Sequence, residues 1–206
     1  MSNTRIINAS PRVWLASLLA LLALPVAMLV APVTAEAAGK NSVVMSVELK
    51  ASPADVWKVV GAFDRLQDWH PAVADTLMSG SPTVVGSQRT LHLQGGGAIV
   101  EELTSYSDTN MRYTYAILHS PLPVANYESY LGVVDAGGGK SLVIWGSTFD
   151  AADGATDKKA KEVITGVYKA GLDNLKKKFG GVPAAKAKAK AKAKSKAKSE
   201  TKPETK

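Results

Sequence analysis

Cysteine is absent from the 206 residues. Disulfides, thiolate metal sites and a thiol nucleophile are therefore excluded. Histidine is scarce. His70, His92 and His119 stand far apart, without the spacing of a metal site. No Gly-x-Ser-x-Gly elbow occurs, and no other nucleophile stands out. The sequence thus predicts no cofactor and no metal, and it marks no catalytic constellation. Asp and Glu number 18 against 25 Lys and Arg, a net charge of +7. Residues 182–206 hold nine Lys and two Glu and so carry all of that excess. The remainder is balanced, which argues against a surface that reads nucleic acid.

Long apolar runs are confined to the start of the chain. Residues 1–37 read as a secretory signal peptide. Arg5 and Arg12 precede an apolar stretch at 13–33, and Ala35-Glu36-Ala37 has the small-x-small form of a cleavage site. An uncleaved membrane anchor is the rival reading. Either way the globular part, 38–181, is expected outside the cytoplasm, in the periplasm or secreted. Beyond it, alternating Ala and Lys at 185–198 cannot build a core, so 182–206 is expected to be a disordered cationic tail.

The strongest periodic signal lies at 156–179. Ala160, Val163, Ile164, Val167, Tyr168, Gly171, Leu172, Leu175 and Phe179 form one apolar stripe at helical spacing. Lysines crowd the last turn, and Gly180-Gly181 stops the helix. A stripe this long needs a broad apolar partner, and only strand-like segments precede it.

Residues 43–50 alternate as a half-buried strand. Ser52-Pro53-Ala54-Asp55 opens a short helix with Val56, Val59, Val60 and Phe63 on its apolar side. An irregular piece with Trp69 and His70 follows. Strands are predicted at 87–93, 98–106, 111–118, 127–134 and 141–149, with a weaker one at 76–79. Gly95-Gly96-Gly97 and Gly137-Gly138-Gly139 mark two hairpins. The predicted fold is α+β: a curved antiparallel sheet wrapped around the long C-terminal helix, with an internal cavity between the layers.

Strand alternation says which polar groups face that cavity. A hairpin centred on Gly95 sets Leu91 opposite Ile99 and Arg89 opposite Glu101, so both charges turn inward as a pair. The pair is either a structural ion pair or a polar anchor for a ligand. Tyr113, Tyr115 and Ile117 share a face. A hairpin centred near Gly138 sets Leu131 opposite Trp145 and Tyr127 opposite Phe149. The expected ligand-binding set is Trp69, His70, Arg89, Glu101, Tyr113, Tyr115, Tyr127 and Trp145, with core packing as the alternative for the aromatic members. His70 is placed at the cavity mouth, His92 on the exposed strand face and His119 in a loop.

Several of these stretches resemble the SRPBCC superfamily, the START-like proteins filed with polyketide cyclases and dehydrases. They are Phe63…Trp69-His70-Pro71-Ala72-Val73, Val85-Gly86-Ser87-Gln88-Arg89-Thr90-Leu91, Glu101 with Leu103, Pro121-Leu122-Pro123-Val124-Ala125-Asn126-Tyr127, Trp145, and Gly166-Val167-Tyr168-Lys169-Ala170-Gly171-Leu172. Where many relatives have Glu-Arg-Leu, this chain has Glu101-Glu102-Leu103. The resemblance implies a helix-grip fold. Among exported members the chain is similar to the MxaD type, which implies assistance to electron transfer between methanol dehydrogenase and its cytochrome. The expected role is a non-catalytic binding or accessory protein for a hydrophobic small molecule. Its cationic tail would meet an acidic periplasmic protein or an anionic membrane surface, or serve only solubility. The alternative is a cyclase- or dehydratase-like enzyme using His70, Glu101 or a tyrosine on a carbonyl substrate.

Overall fold

The computed structural model describes residues 39–181. Residues 1–38 and 182–206, where a signal peptide and a cationic tail are expected, lie outside the described residues. Within them, β1 (Asn41–Leu49) leads to α1 (Pro53–Val60), a single 3-10 turn (Leu66–Asp68) and β2 (Val73–Ser79). Then come β3 (Gln88–Leu93), β4 (Ala98–Ser107), β5 (Arg112–His119), β6 (Val124–Asp135), β7 (Ser141–Ala151) and α2 (Asp157–Phe179).

All seven strands form one antiparallel sheet in the order β1-β7-β6-β5-β4-β3-β2. The sheet curves over α2, which is the predicted helix-grip architecture. The crossover from β1 to β2 carries α1 and the 3-10 turn and spans the width of the sheet. This long connection brings Trp69 and His70 against α2.

Local chemistry explains the helix ends. The Ser52 hydroxyl accepts from the Asp55 N–H at 3.2 Å, and Thr156 does the same for Lys159 at 3.2 Å. Each such cap stabilises by about 1 kcal/mol. Gly180 ends α2 at φ 73°, a conformation that favours glycine. Ala160, Ile164, Tyr168, Gly171, Leu172 and Leu175 are buried on the inner face of α2, while Val163, Val167 and Phe179 are half-buried.

The hairpin registers follow the predicted pairings. Arg89 faces Glu101, Leu91 faces Ile99, and Leu131 faces Trp145. At one pairing the ladder is interrupted. The β6–β7 register shifts between Ala125 and Glu128, so Asn126 and Tyr127 together oppose Phe149. Asn126 at φ 49° makes this bulge, and the two rings still stack at 6.0 Å. α1 ends at Val60, and its buried face includes Trp57, which the predicted apolar side omitted. The Trp57 Nε1–H is satisfied by Asp108 at 2.8 Å. β2 is a full seven-residue strand rather than a fragment, and His119 closes β5 instead of lying in a loop.

Candidate functional site

A cavity of about 160 Å³ lies between the concave face of the sheet and α2. Leu66, Ala72 and Val73 close one end. Leu91, Leu93, Ile99 and Ile117 form the sheet wall, Leu122 comes from the β5–β6 turn, and Ile164 and Val167 come from α2. Its polar members are His70, Glu101, Tyr115, Tyr127 and Trp145. The volume is below the 300–1,000 Å³ of drug-sized sites and close to the roughly 150 Å³ that suffices for benzene.

The Arg89/Glu101 couple is fully interior, with Arg89 1% and Glu101 4% exposed. Arg89 Nε donates to Glu101 Oε2 at 2.6 Å, and Nη1 donates to the Phe63 carbonyl at 2.7 Å. The guanidinium lies 3.9 Å from the Phe63 ring centre and 5.2 Å from that of Tyr115. Burial opposes the Arg89 charge, but Glu101, Tyr113 and Tyr115 more than offset it, so its pKa lies above the ordinary value. Burial pushes the Glu101 carboxyl up, and the Arg89 charge works against that rise. Glu101 lines the cavity, whereas Arg89 stands behind it and fixes it from the rear.

Trp69 and Tyr113 also stand behind the lining. Tyr113 packs among Trp57, Phe63, Tyr106 and Tyr115. Trp69 meets Trp145 edge-on at 5.3 Å. His70 is buried at the cavity rather than open at a mouth. Its Nδ1 accepts from the Ala72 N–H at 3.3 Å, so Nε2 carries the proton and donates to the Val167 carbonyl at 3.0 Å. Burial, against the Val167 hydrogen bond, holds its pKa below the ordinary value. The ring thus clamps the crossover to α2, assisted by Asn174, whose amide donates to the Trp69 carbonyl at 3.0 Å. With both nitrogens engaged, His70 has no lone pair available as a general base.

α2 presents Gly171 beneath this cluster. A Cβ there would sit 2.7 Å from His70, 2.9 Å from Trp69 and 3.0 Å from Trp145. One turn earlier, Tyr168 stacks on Trp145 at 4.3 Å. Its hydroxyl is 2.6 Å from that of Tyr127 and 3.1 Å from Ser129. Ser129 donates to the Gly146 carbonyl at 2.9 Å, and Trp145 Nε1 donates to Tyr115 at 3.0 Å and Ser129 at 3.2 Å. Burial raises the pKa of Tyr115, Tyr127 and Tyr168, the last to about 12, so all three stay protonated. Ser129 is the member that sequence reading missed. Its only signal is a small polar residue on the inward face of β6 between Tyr127 and Leu131.

Among curated proteins nothing matches the chain. Solved structures do. XoxI from Bacillus cereus is 32% identical, with a TM-score of 0.62 over 67% of this chain and 94% of that one. An uncharacterised protein from Bacillus thuringiensis is 31% identical, with a TM-score of 0.63 over 68% of this chain and 98% of its own. A protein from Thermobifida fusca is also 31% identical, with a TM-score of 0.61 over 68% and 93% of the two chains. The family model described as polyketide cyclase / dehydrase and lipid transport matches residues 40–180. With a curved seven-stranded sheet closed over one long helix, and most of its length matched by that model, the chain belongs to the polyketide cyclase / dehydrase and lipid transport family of the SRPBCC superfamily.

Proposed function

We propose that the protein binds a small hydrophobic molecule in the cavity between sheet and α2, and that it does so without catalysis. One observation carries this reading: the cavity wall is apolar, and most of its polar groups are already committed to each other. His70 has both nitrogens occupied, and Glu101 is held by Arg89. A cyclase or dehydratase would need a base or acid at the wall; His70 has no lone pair to offer, and Glu101 is held as the counter-ion of the buried Arg89. The volume limits the ligand to about one ring. The test is titration of toluene into the purified chain, followed by amide and indole NMR shifts. Wild type should saturate with shifts centred on Trp145. Val167→Phe, which fills the cavity from α2, should abolish them. Wild-type spectra unchanged by saturating toluene would sink the proposal.

The reading extends to place and partner. The chain is exported to the periplasm and serves as an accessory to methanol dehydrogenase and its cytochrome, as its likeness to the MxaD type implies. Residues 182–206 hold the protein near an acidic protein or an anionic membrane, at roughly 1 kcal/mol per lysine near such a surface. Fractionation of cells should recover the chain in the periplasm, and its deletion should slow methanol-dependent cytochrome reduction. Binding to anionic vesicles should fall with salt and with removal of 182–206. Indifference to both would leave the tail a solubilising one.

A further inference from the structure

We propose that the cavity is built for a neutral molecule bearing a hydroxyl group, an alcohol or a phenol, which donates to Glu101 Oε1 and accepts from the Tyr115 hydroxyl. This rests on the cavity being a binding site, as proposed above.

Most protons at the polar wall can be assigned to a partner. Ser129 gives its proton to the Gly146 carbonyl, so its oxygen can only accept from Tyr168 and Trp145. The Tyr168 proton is therefore directed at Ser129, and the Tyr127 proton at the Tyr168 oxygen. Trp145 Nε1–H is shared between Tyr115 and Ser129. His70 is closed at both nitrogens. Two functions remain on the cavity lining; the unpaired Ser147 hydroxyl and Trp69 Nε1–H are buried outside it. Tyr115 accepts from Trp145, but among the described residues its own O–H finds no acceptor. Glu101 receives Arg89 at Oε2, and among the described residues no donor reaches Oε1. One spare donor and one spare acceptor thus line the same cavity.

They also stand together. On the inward face of β4 and β5, Glu101 pairs with Ile117 and Leu103 pairs with Tyr115, which makes Glu101 and Tyr115 diagonal neighbours. Such neighbours lie about 7–8 Å apart at the backbone, within reach of one bridging group for long side chains. A hydroxyl is the smallest group that both donates and accepts. A carboxylate or phosphate would confront the Glu101 charge in a dry pocket. An ammonium would meet the Tyr115 proton without an acceptor and lie beside Arg89. A bare hydrocarbon would leave both spare functions unpaired.

The test compares ligands of one size. Toluene, phenol and benzoate are titrated into the full chain by NMR or calorimetry, in wild type and in Tyr115→Phe. Phenol should bind about tenfold more tightly than toluene, and benzoate should not bind. Tyr115→Phe should weaken phenol several-fold more than it weakens toluene, with its thermal transition showing that it still folds. If toluene binds and phenol binds no better, or if Tyr115→Phe leaves the phenol-to-toluene ratio unchanged, the hydroxyl assignment is overturned while cavity binding stands. If neither binds, the cavity reading itself fails.

Discussion

Gly171→Ala and Gly166→Ala place the same methyl group on the same helix in opposite surroundings. At Gly171 the new Cβ meets three ring atoms, at 2.7 Å from His70, 2.9 Å from Trp69 and 3.0 Å from Trp145. None of these rings can retreat easily. His70 is bonded through both nitrogens, and Trp145 is stacked on Tyr168. Overpacking of this kind costs about 1–3 kcal/mol. At Gly166 nothing lies within 4 Å. Both changes gain about 1 kcal/mol of helix propensity, so that gain cancels in the difference. Gly166→Ala should therefore stabilise by about 1 kcal/mol, and Gly171→Ala should be neutral to about 2 kcal/mol destabilising. Urea unfolding reads the difference directly. Thermal unfolding should separate the two variants by about 2–4 °C per kcal/mol for a domain of this size. Equal stability in both would mean that the crossover segment is not clamped on α2, and the cavity would lose the wall that His70 and Trp145 provide.

Four further outcomes follow from the same packing. Glu101→Ala leaves the Arg89 guanidinium buried and unpaired, and urea unfolding should show a loss of about 3–5 kcal/mol. Replacing both, as Arg89→Met with Glu101→Leu, should lose less than the sum of the single changes; strict additivity would mean the two charges are uncoupled. His70 has a folded pKa below its ordinary 6.5, so the unfolded state takes up the proton first. Its contribution is complete above pH 6.5 and is lost as the pH falls through the folded pKa. The wild-type melting temperature should drop across that window more than that of His70→Gln, and parallel curves would contradict the clamp. Tyr127→Phe removes the donor to Tyr168 and should cost about 1 kcal/mol by denaturant titration. A gain in stability would show that the proton is directed elsewhere.

Much of this arrangement was legible in the sequence because short turns fix register. Gly95-Gly96-Gly97 leaves few ways to close β3 on β4, and alternation then forces Arg89 and Glu101 to the same inward face. The long stripe of α2 likewise names its own buried side. What alternation cannot supply is depth. On a curved sheet it says that Arg89, Glu101, Tyr113 and Tyr115 all point inward. It does not say that Glu101 and Tyr115 reach the cavity while Arg89 and Tyr113 stop behind it. The bulge at Asn126 was hidden for a related reason, since one residue at positive φ breaks a ladder without altering its composition. His70 was misplaced at a mouth because its partners, Ala72 N–H and the Val167 carbonyl, are backbone groups that no side-chain pattern announces.

Xenon pressed into crystals of the protein probes the central claim most directly, because xenon occupies apolar cavities of this size. A single strong site bounded by Leu91, Ile99, Ile117, Trp145 and Ile164 is the predicted result. A core that admits no xenon there would contradict it.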